Sequence, residues 1–210
     1  LSEGSVFLDI YPAGKYGMEM QARRLGREHL YLPGNFDYEE TAKQLQQLFQ
    51  TLGLPELTED ELAAERNACE KALEKAKAVI GDTPVVLDYL FHPRPLGLAK
   101  LLLTHGFHVE AVYLDGISPE EADFLWLKEH APQLELRATI QVKMRVLPRE
   151  HEGKVLAIGQ KAAWFTGSRN FVNMVQGGGL YGYDGIRRTA ELMIDAYENE
   201  KDTERLVVQK

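Results

Sequence analysis

The chain has little cysteine, no long apolar run and a deficit of positive charge, and each shortage removes a class of answer. Cys69 is the one cysteine among 210 residues. A lone thiol closes no internal disulfide, and it cannot by itself hold an iron–sulfur cluster, which normally takes four thiolates. Cys69 lies in AAERNACEKALEKAK beside Ala68 and Ala72, the setting of a free cysteine packed as a small hydrophobe. No apolar stretch approaches the ~20 residues of a membrane-spanning helix, and no basic region followed by an apolar core marks a secretory leader. A cytoplasmic protein is the expectation. Acidic residues outnumber basic ones 32 to 24, a net charge of −8, which disfavours nucleic acid or an anionic membrane as partner.

Motifs are sparse too. No G-x-G-x-x-G is followed by an acidic residue about 20 positions on, and the Lys-Ser/Thr of a P-loop is missing. His29, His105, His108, His130 and His151 sit at helix ends or strand starts. No histidine pair has the i, i+4 spacing and carboxylate company of a metal site, and no Ser-His-Asp arrangement suggests itself. No metal ligand and no catalytic residue is assigned.

What remains is an ordinary soluble globular composition, 44% apolar and 27% charged. A chain of this length forms one domain or two small ones and needs no staple. It begins at Leu1, with Ser5 to Ile10 already reading as a buried strand, and an excised piece of a longer protein is the expectation.

SVFLDI (5–10) is a strand, followed by the breakers Pro12 and Gly14 and a helical YGMEMQARRLG. HLYLP (29–33) is a second strand, and 37–53 a helix with Asp37 as N-cap and Gly53 at its stop. Thr58 and Glu61 have capping-box spacing at the head of a long helix that closes at Gly81. After Gly81 strands and helices alternate: VVLDYL, PLGLAKLLLTHG, HVEAVYLD, a helix capped by Ser118 with Glu121, LELRAT, VLAIG, QKAAWFTGSR, FVNMV and a final helix from YDG. Such alternation means βαβ units with right-handed crossovers. The fold class expected is α/β, with Rossmann-like parallel-sheet lobes and flanking helices. Residues 1–57 form a partial βαβα lobe, 58–81 a linker helix and 82–210 a Rossmann-like C-terminal lobe.

In parallel sheets ligands sit outside the carboxyl ends of the strands, which selects the loops after Ile10, Leu90, Asp115, Gly159 and Val175. QGGGLYGYDG (176–185) follows a strand and precedes a helix; it either turns the chain, favours an anion or lines a cavity. FHPRP (91–95) brings His92 and Arg94, unless its prolines only start a helix. Lys161 opens another helix, where it binds an anion or faces water. Together these loops predict a pocket of Tyr11, His92, Arg94, Lys161, Gln176, Gly177, Gly178, Gly179, Tyr181 and Tyr183. Arg94 and Lys161 would make it locally positive and suited to an acidic ligand, such as a carboxylated tetrapyrrole or an anionic cluster.

Three stretches carry a resemblance. They are FLDIYPAGKYGMEMQARRLGREHLYLPGNFDYEETAKQLQQLF, VVLDYLFHPRPLGLAKLLLTHGFHVEAVYLD and IGQKAAWFTGSRNFVNMVQGGGLYGYDGIRRTAELMIDAYEN. In order they resemble the C-terminal half of a nitrogenase component 1 type subunit, and the closing "G-Y-D/E-G" pattern is the specific part. The family includes the nitrogenase molybdenum–iron protein, its cofactor-assembly scaffold and the dark-operative protochlorophyllide reductases. The resemblance implies an oxidoreductase parent that takes electrons from an iron-protein-type reductase through an iron–sulfur cluster in a missing N-terminal subdomain. It also implies a second subunit or a homodimer.

Two departures limit it. The family's cofactor-ligating cysteine and histidine correspond here to Ile10 and Val172, neither of which ligates iron. The chain alone is therefore expected to carry no cofactor, with QGGGLYGYDG lining a cavity where members of the family hold a cofactor or substrate, closer to those that bind an organic substrate or act as an assembly platform. A non-catalytic binding or cofactor-assembly module of the same fold, and an unrelated nucleotide-sugar-binding Rossmann-like protein, are the alternative readings.

Overall fold

Helix signals in the sequence act where they stand. In the computed structural model, which describes residues 6–117, 120–146, 151–175 and 179–203, Asp37 accepts the Glu40 N–H and starts α2 (Tyr38–Thr51). Thr58 and Glu61 exchange both bonds of a capping box at the head of α3 (Glu59–Ile80). Gly53 and Gly81, with φ of 65° and 62°, end these two helices in backbone that a side chain disfavours. Ser118 lies outside the described residues, and α5 (Glu121–His130) starts after Glu120 without a side-chain cap bond.

The first lobe is a short parallel pair. Strands β1 (Phe7–Asp9) and β2 (His29–Tyr31) are joined by α1 (Lys15–Arg24), with Leu8 opposite Leu30. The second sheet has five parallel strands: β3 (Val85–Asp88), β4 (Val109–Leu114), β5 (Glu135–Ala138), β6 (Leu156–Ile158) and β7 (Phe171–Val172). Their order is β5-β4-β3-β6-β7. The chain builds outward from β3 through β4 to β5, then returns to place β6 on the other side of β3. The β3–β6 boundary is thus a switch point, the place in an open α/β sheet where a crevice forms beyond the strand ends.

Alternation distributes the strand side chains between two cores. Val85, Leu87, Val112, Leu156, Ile158 and Val172 join the larger core with residues of α3, α4 (Pro95–Thr104), α5 and α7 (Gly182–Glu198). Val86, Ala111, Tyr113, Ala157 and Phe171 face the other way, under α6 (Gln160–Thr166) and Met144 of a 3-10 turn at Val142–Arg145. A parallel sheet covered on both faces needs such continuous apolar strands, and all four residues of β3 are buried.

Helix α3 carries the chain from the first sheet to the second, and it also packs lengthwise along α7. Cys69, Leu73, Ala76 and Ile80 are buried in one core with Ile186, Ala190, Met193 and Ala196. The Cys69 thiol donates to the Tyr183 carbonyl oxygen at 3.2 Å, and burial pushes its pKa up to about 11. Cys69 is a core residue, as its alanine-rich context suggests.

Leu73→Ala opens a cavity at a position 1% exposed. It should lower unfolding stability by about 2–5 kcal/mol, read from the urea midpoint with an unchanged slope. A loss below about 1 kcal/mol would mean that α3 and α7 do not depend on each other.

Candidate functional site

Asp88, the last residue of β3, organises the switch point. It is 1% exposed, and its carboxylate accepts the backbone N–H groups of Leu90 at 2.8 Å, Phe91 at 3.0 Å and Ala162 at 2.7 Å. One side chain thereby fixes both loops that diverge here, 89–94 after β3 and 159–162 after β6. Burial pushes its pKa up to about 6, and the N–H bonds hold it from rising further. Gly159 lies against it with φ 115°, and a Cβ there would stand 2.3 Å from the Asp88 carboxylate oxygens. Only glycine lets the two strands' ends approach this closely.

The loop so fixed delivers His92, which is 3% exposed. Its Nδ1 accepts the Arg94 backbone N–H at 3.1 Å, which leaves the ring proton on Nε2 in the neutral form. Burial, then the neighbouring Arg94 charge, push the pKa of His92 down to about 4. The ring meets Phe36 edge-on at 4.7 Å. A Cβ on Gly34 would come within 2.9 Å of His92 Nε2 and 3.7 Å of the Leu180 carbonyl oxygen. Loops following β2 and β3 and the loop entering α7 therefore meet at one seam between the lobes.

The tyrosines of the closing pattern tie the two sides of that seam together. Tyr181 donates its hydroxyl to Gln44 Oε1 at 2.9 Å, and burial, then Glu40, push its pKa up to about 12. Gln44 in turn donates to the Pro33 carbonyl oxygen and accepts from Asn35. Tyr183 is buried, donates to the Tyr38 carbonyl oxygen at 3.2 Å and stacks on the Tyr38 ring at 6.0 Å. Gly179 is exposed, with φ 89° and open space where a Cβ would be. Gln176, Gly177 and Gly178 lie outside the described residues.

Arg94 and Lys161 do not form a shared positive pocket. The Arg94 guanidinium meets Glu40 at 2.9 Å and Asp123 at 3.8 Å. It lines a cavity of about 340 Å³ with Asn35, Phe36, Lys100, His105 and Asp123. Glu120 is buried nearby on the Leu96 and Gly97 N–H groups, and burial pushes its pKa up to about 7. Lys161 instead contacts the Tyr89 hydroxyl, Thr139 Oγ1 at 3.0 Å and Asp115 at 3.9 Å. The expectation of local positive charge gives way because each cation lies beside carboxylates. Tyr11 remains in the first lobe, its N–H on Asp9 Oδ1 at 3.0 Å.

Sequence reasoning missed Gly34, Asn35, Gln44, Asp88, Tyr89, Asp115 and Thr139. A signal existed for three of them: Tyr89, Asp115 and Thr139 are the first residues beyond β3, β4 and β5. Together with Lys161 they place one polar side chain at the carboxyl end of each of four adjacent strands. Among the described residues no group of three or more His, Cys, Asp or Glu is placed to hold a metal ion. The arrangement offers a neutral Nε2–H donor, fixed ion pairs and phenols kept protonated by burial.

The pH response of His92 follows from its depressed pKa. The unfolded chain binds the proton more tightly, so stability is full above the ordinary value of 6.5 and is lost as pH falls towards about 4. Asp88 and Glu120, raised to about 6 and about 7, work in the opposite sense: their buried charge opposes folding at high pH. Between pH 6.5 and 4.5 the wild type should lose on the order of 2 kcal/mol more than His92→Gln. Denaturant titrations at a series of pH values read this difference directly, and equal pH slopes for the two proteins would refute it.

No protein-family model matches the chain, and no curated protein matches it either. Among solved structures it is similar to one titled nitrogenase Cp1 at pH 6.5, with a TM-score of 0.56 and 16% identity over 98% of this chain. The match takes in 48% of that chain, so the protein spans about half its length. A second match, an uncharacterized superfamily protein from Burkholderia thailandensis, is 18% identical over 58% of this chain and 38% of that one, at a TM-score of 0.23; it carries no argument. The chain has a nitrogenase-like α/β fold.

Proposed function

We propose that this chain is the ligand-lining half of a nitrogenase component 1-like oxidoreductase subunit, and that its seam takes an organic substrate. The observation that carries this is the meeting of Gly34, His92 and Leu180 at the carboxyl edge of parallel sheets, where α/β folds bind ligands. The fold likeness over 98% of the chain supports the same reading. His92 would donate its Nε2 proton to a carbonyl or carboxylate oxygen, and Gly34 makes room for that ring.

The residues do not fit the iron–molybdenum centre that the family implies. Ile10 and Val172 hold the corresponding positions, Val172 inside β7 and 1% exposed. Cys69 is buried in the α3–α7 contact with a raised pKa. Electron transfer would belong to an N-terminal part of the parent protein and to an iron-protein-type reductase. A binding or cofactor-assembly module of the same fold is the second reading, supported by the charge-balanced, hydrogen-bonded character of the seam. Among the described residues, Arg94 and Lys161 are both matched by carboxylates, which disfavours a nucleotide-sugar diphosphate.

The two readings separate on iron. The 210-residue chain should purify colourless and iron-free. The full-length parent, prepared without oxygen, should hold stoichiometric iron and give a paramagnetic signal that changes on reduction with dithionite. Iron in this chain would refute the substrate-lining assignment, and an iron-free parent would refute the oxidoreductase.

A further inference from the structure

Helix α1 is nearly unburied. It buries only Ala22 against the first sheet. Tyr16 is 74% exposed and Met20 47% exposed, and they share a row with exposed Arg24 at i, i+4 and i+8. Arg24 makes no ion pair among the described residues. The adjacent row, Lys15, Glu19 and Arg23, lines a crevice of about 490 Å³ with Arg27, His29 and Tyr31 of the β2 segment. Residues 15–29 carry four cations against two acids, a local surplus of positive charge on a chain of net charge −8.

A patch of opposite sign lies at the turn from α2 into α3. Glu56, Glu59 and Asp60 are exposed, and Leu52 and Leu54 are 50% and 46% exposed beside them. Acids in a first turn suit the positive end of a helix, which accounts for Glu59 and Asp60 locally. It accounts for neither Glu56, which precedes the helix, nor two leucines in water.

We propose that the α1 face of one molecule docks on the 52–60 corner of a second copy. Arg24, with Arg23 leaving its exposed pair with Glu19, meets Glu56, Glu59 and Asp60, while Tyr16 and Met20 cover Leu52 and Leu54. The two surfaces differ, so the contact is head-to-tail and does not stop at two copies unless a ring closes. Two molecules of net charge −8 repel on average, so the local complementarity sets orientation and makes the contact salt-sensitive.

Sedimentation of the chain at about 20 mM and about 300 mM salt tests this, since the Debye length falls from roughly 20 Å to roughly 6 Å. Association should weaken about tenfold or more between the two. Arg23→Glu with Arg24→Glu in one variant, and Glu59→Lys with Asp60→Lys in another, should each abolish it, with unchanged circular dichroism. Mixing the two variants should restore it, because each then offers the other a complementary face. A chain that stays monomeric at low salt and high concentration would overturn the proposal. So would a dimer that survives both charge reversals, or a mixture that fails to associate.

Discussion

The arrangement depends first on a carboxylate buried where hydrophobic strands end. Asp88 is held by backbone N–H groups from two loops that part company at the β3–β6 boundary. Desolvation opposes its charge, and three N–H donors offset much of that penalty. Gly159 belongs to the same device, because a side chain there would occupy the space of the carboxylate. Without it, nothing in the strands themselves would say how loop 89–94 and helix α6 leave the sheet. Both His92 and Lys161 are placed by that one decision.

From this point the charges sort into closed sets. Arg94 bridges Glu40 of α2 and Asp123 of α5, so it joins the first lobe to the second. Lys161 ties the ends of β3, β4 and β5 through Tyr89, Asp115 and Thr139. For Asp115, hydrogen bonds and the Lys161 charge outweigh burial and hold its carboxyl below the ordinary range. The cations that look like anion ligands in the sequence are thus tied to protein partners. Among the described residues, His92, protonated on one nitrogen, and Tyr181 and Tyr183, which keep their protons, are neutral. A ligand at the seam would be recognised by shape and hydrogen bonds more than by charge.

The scaffold was readable in the sequence because its signals are local. Capping residues at Asp37 and Thr58, stop glycines at Gly53 and Gly81, and the apolar run of β3 each act within a few residues of themselves. Parallel topology follows from the alternation they create. The site was readable only in part. His92 and Arg94 announce themselves by position after a strand, but what neutralises Arg94 lies 54 residues away in Glu40. Gly34 gives no sign of its role, since its close approach to His92 exists only after two lobes have met. Long-range pairing of charge and space is what a one-dimensional pattern leaves out.

The same geometry explains why fold and chemistry separate in this protein. A parallel sheet sends the loops of all its strands to one edge whatever side chains they carry, so a backbone similar to a nitrogenase chain survives at 16% identity. Chemistry resides in the atoms those loops present. Here the lone thiol serves the α3–α7 core. Burial that makes Cys69 useful to packing raises its pKa and so suppresses the thiolate that any metal would need. What these loops present is a shaped, hydrogen-bonded edge in which the cations Arg94 and Lys161 are matched by carboxylates.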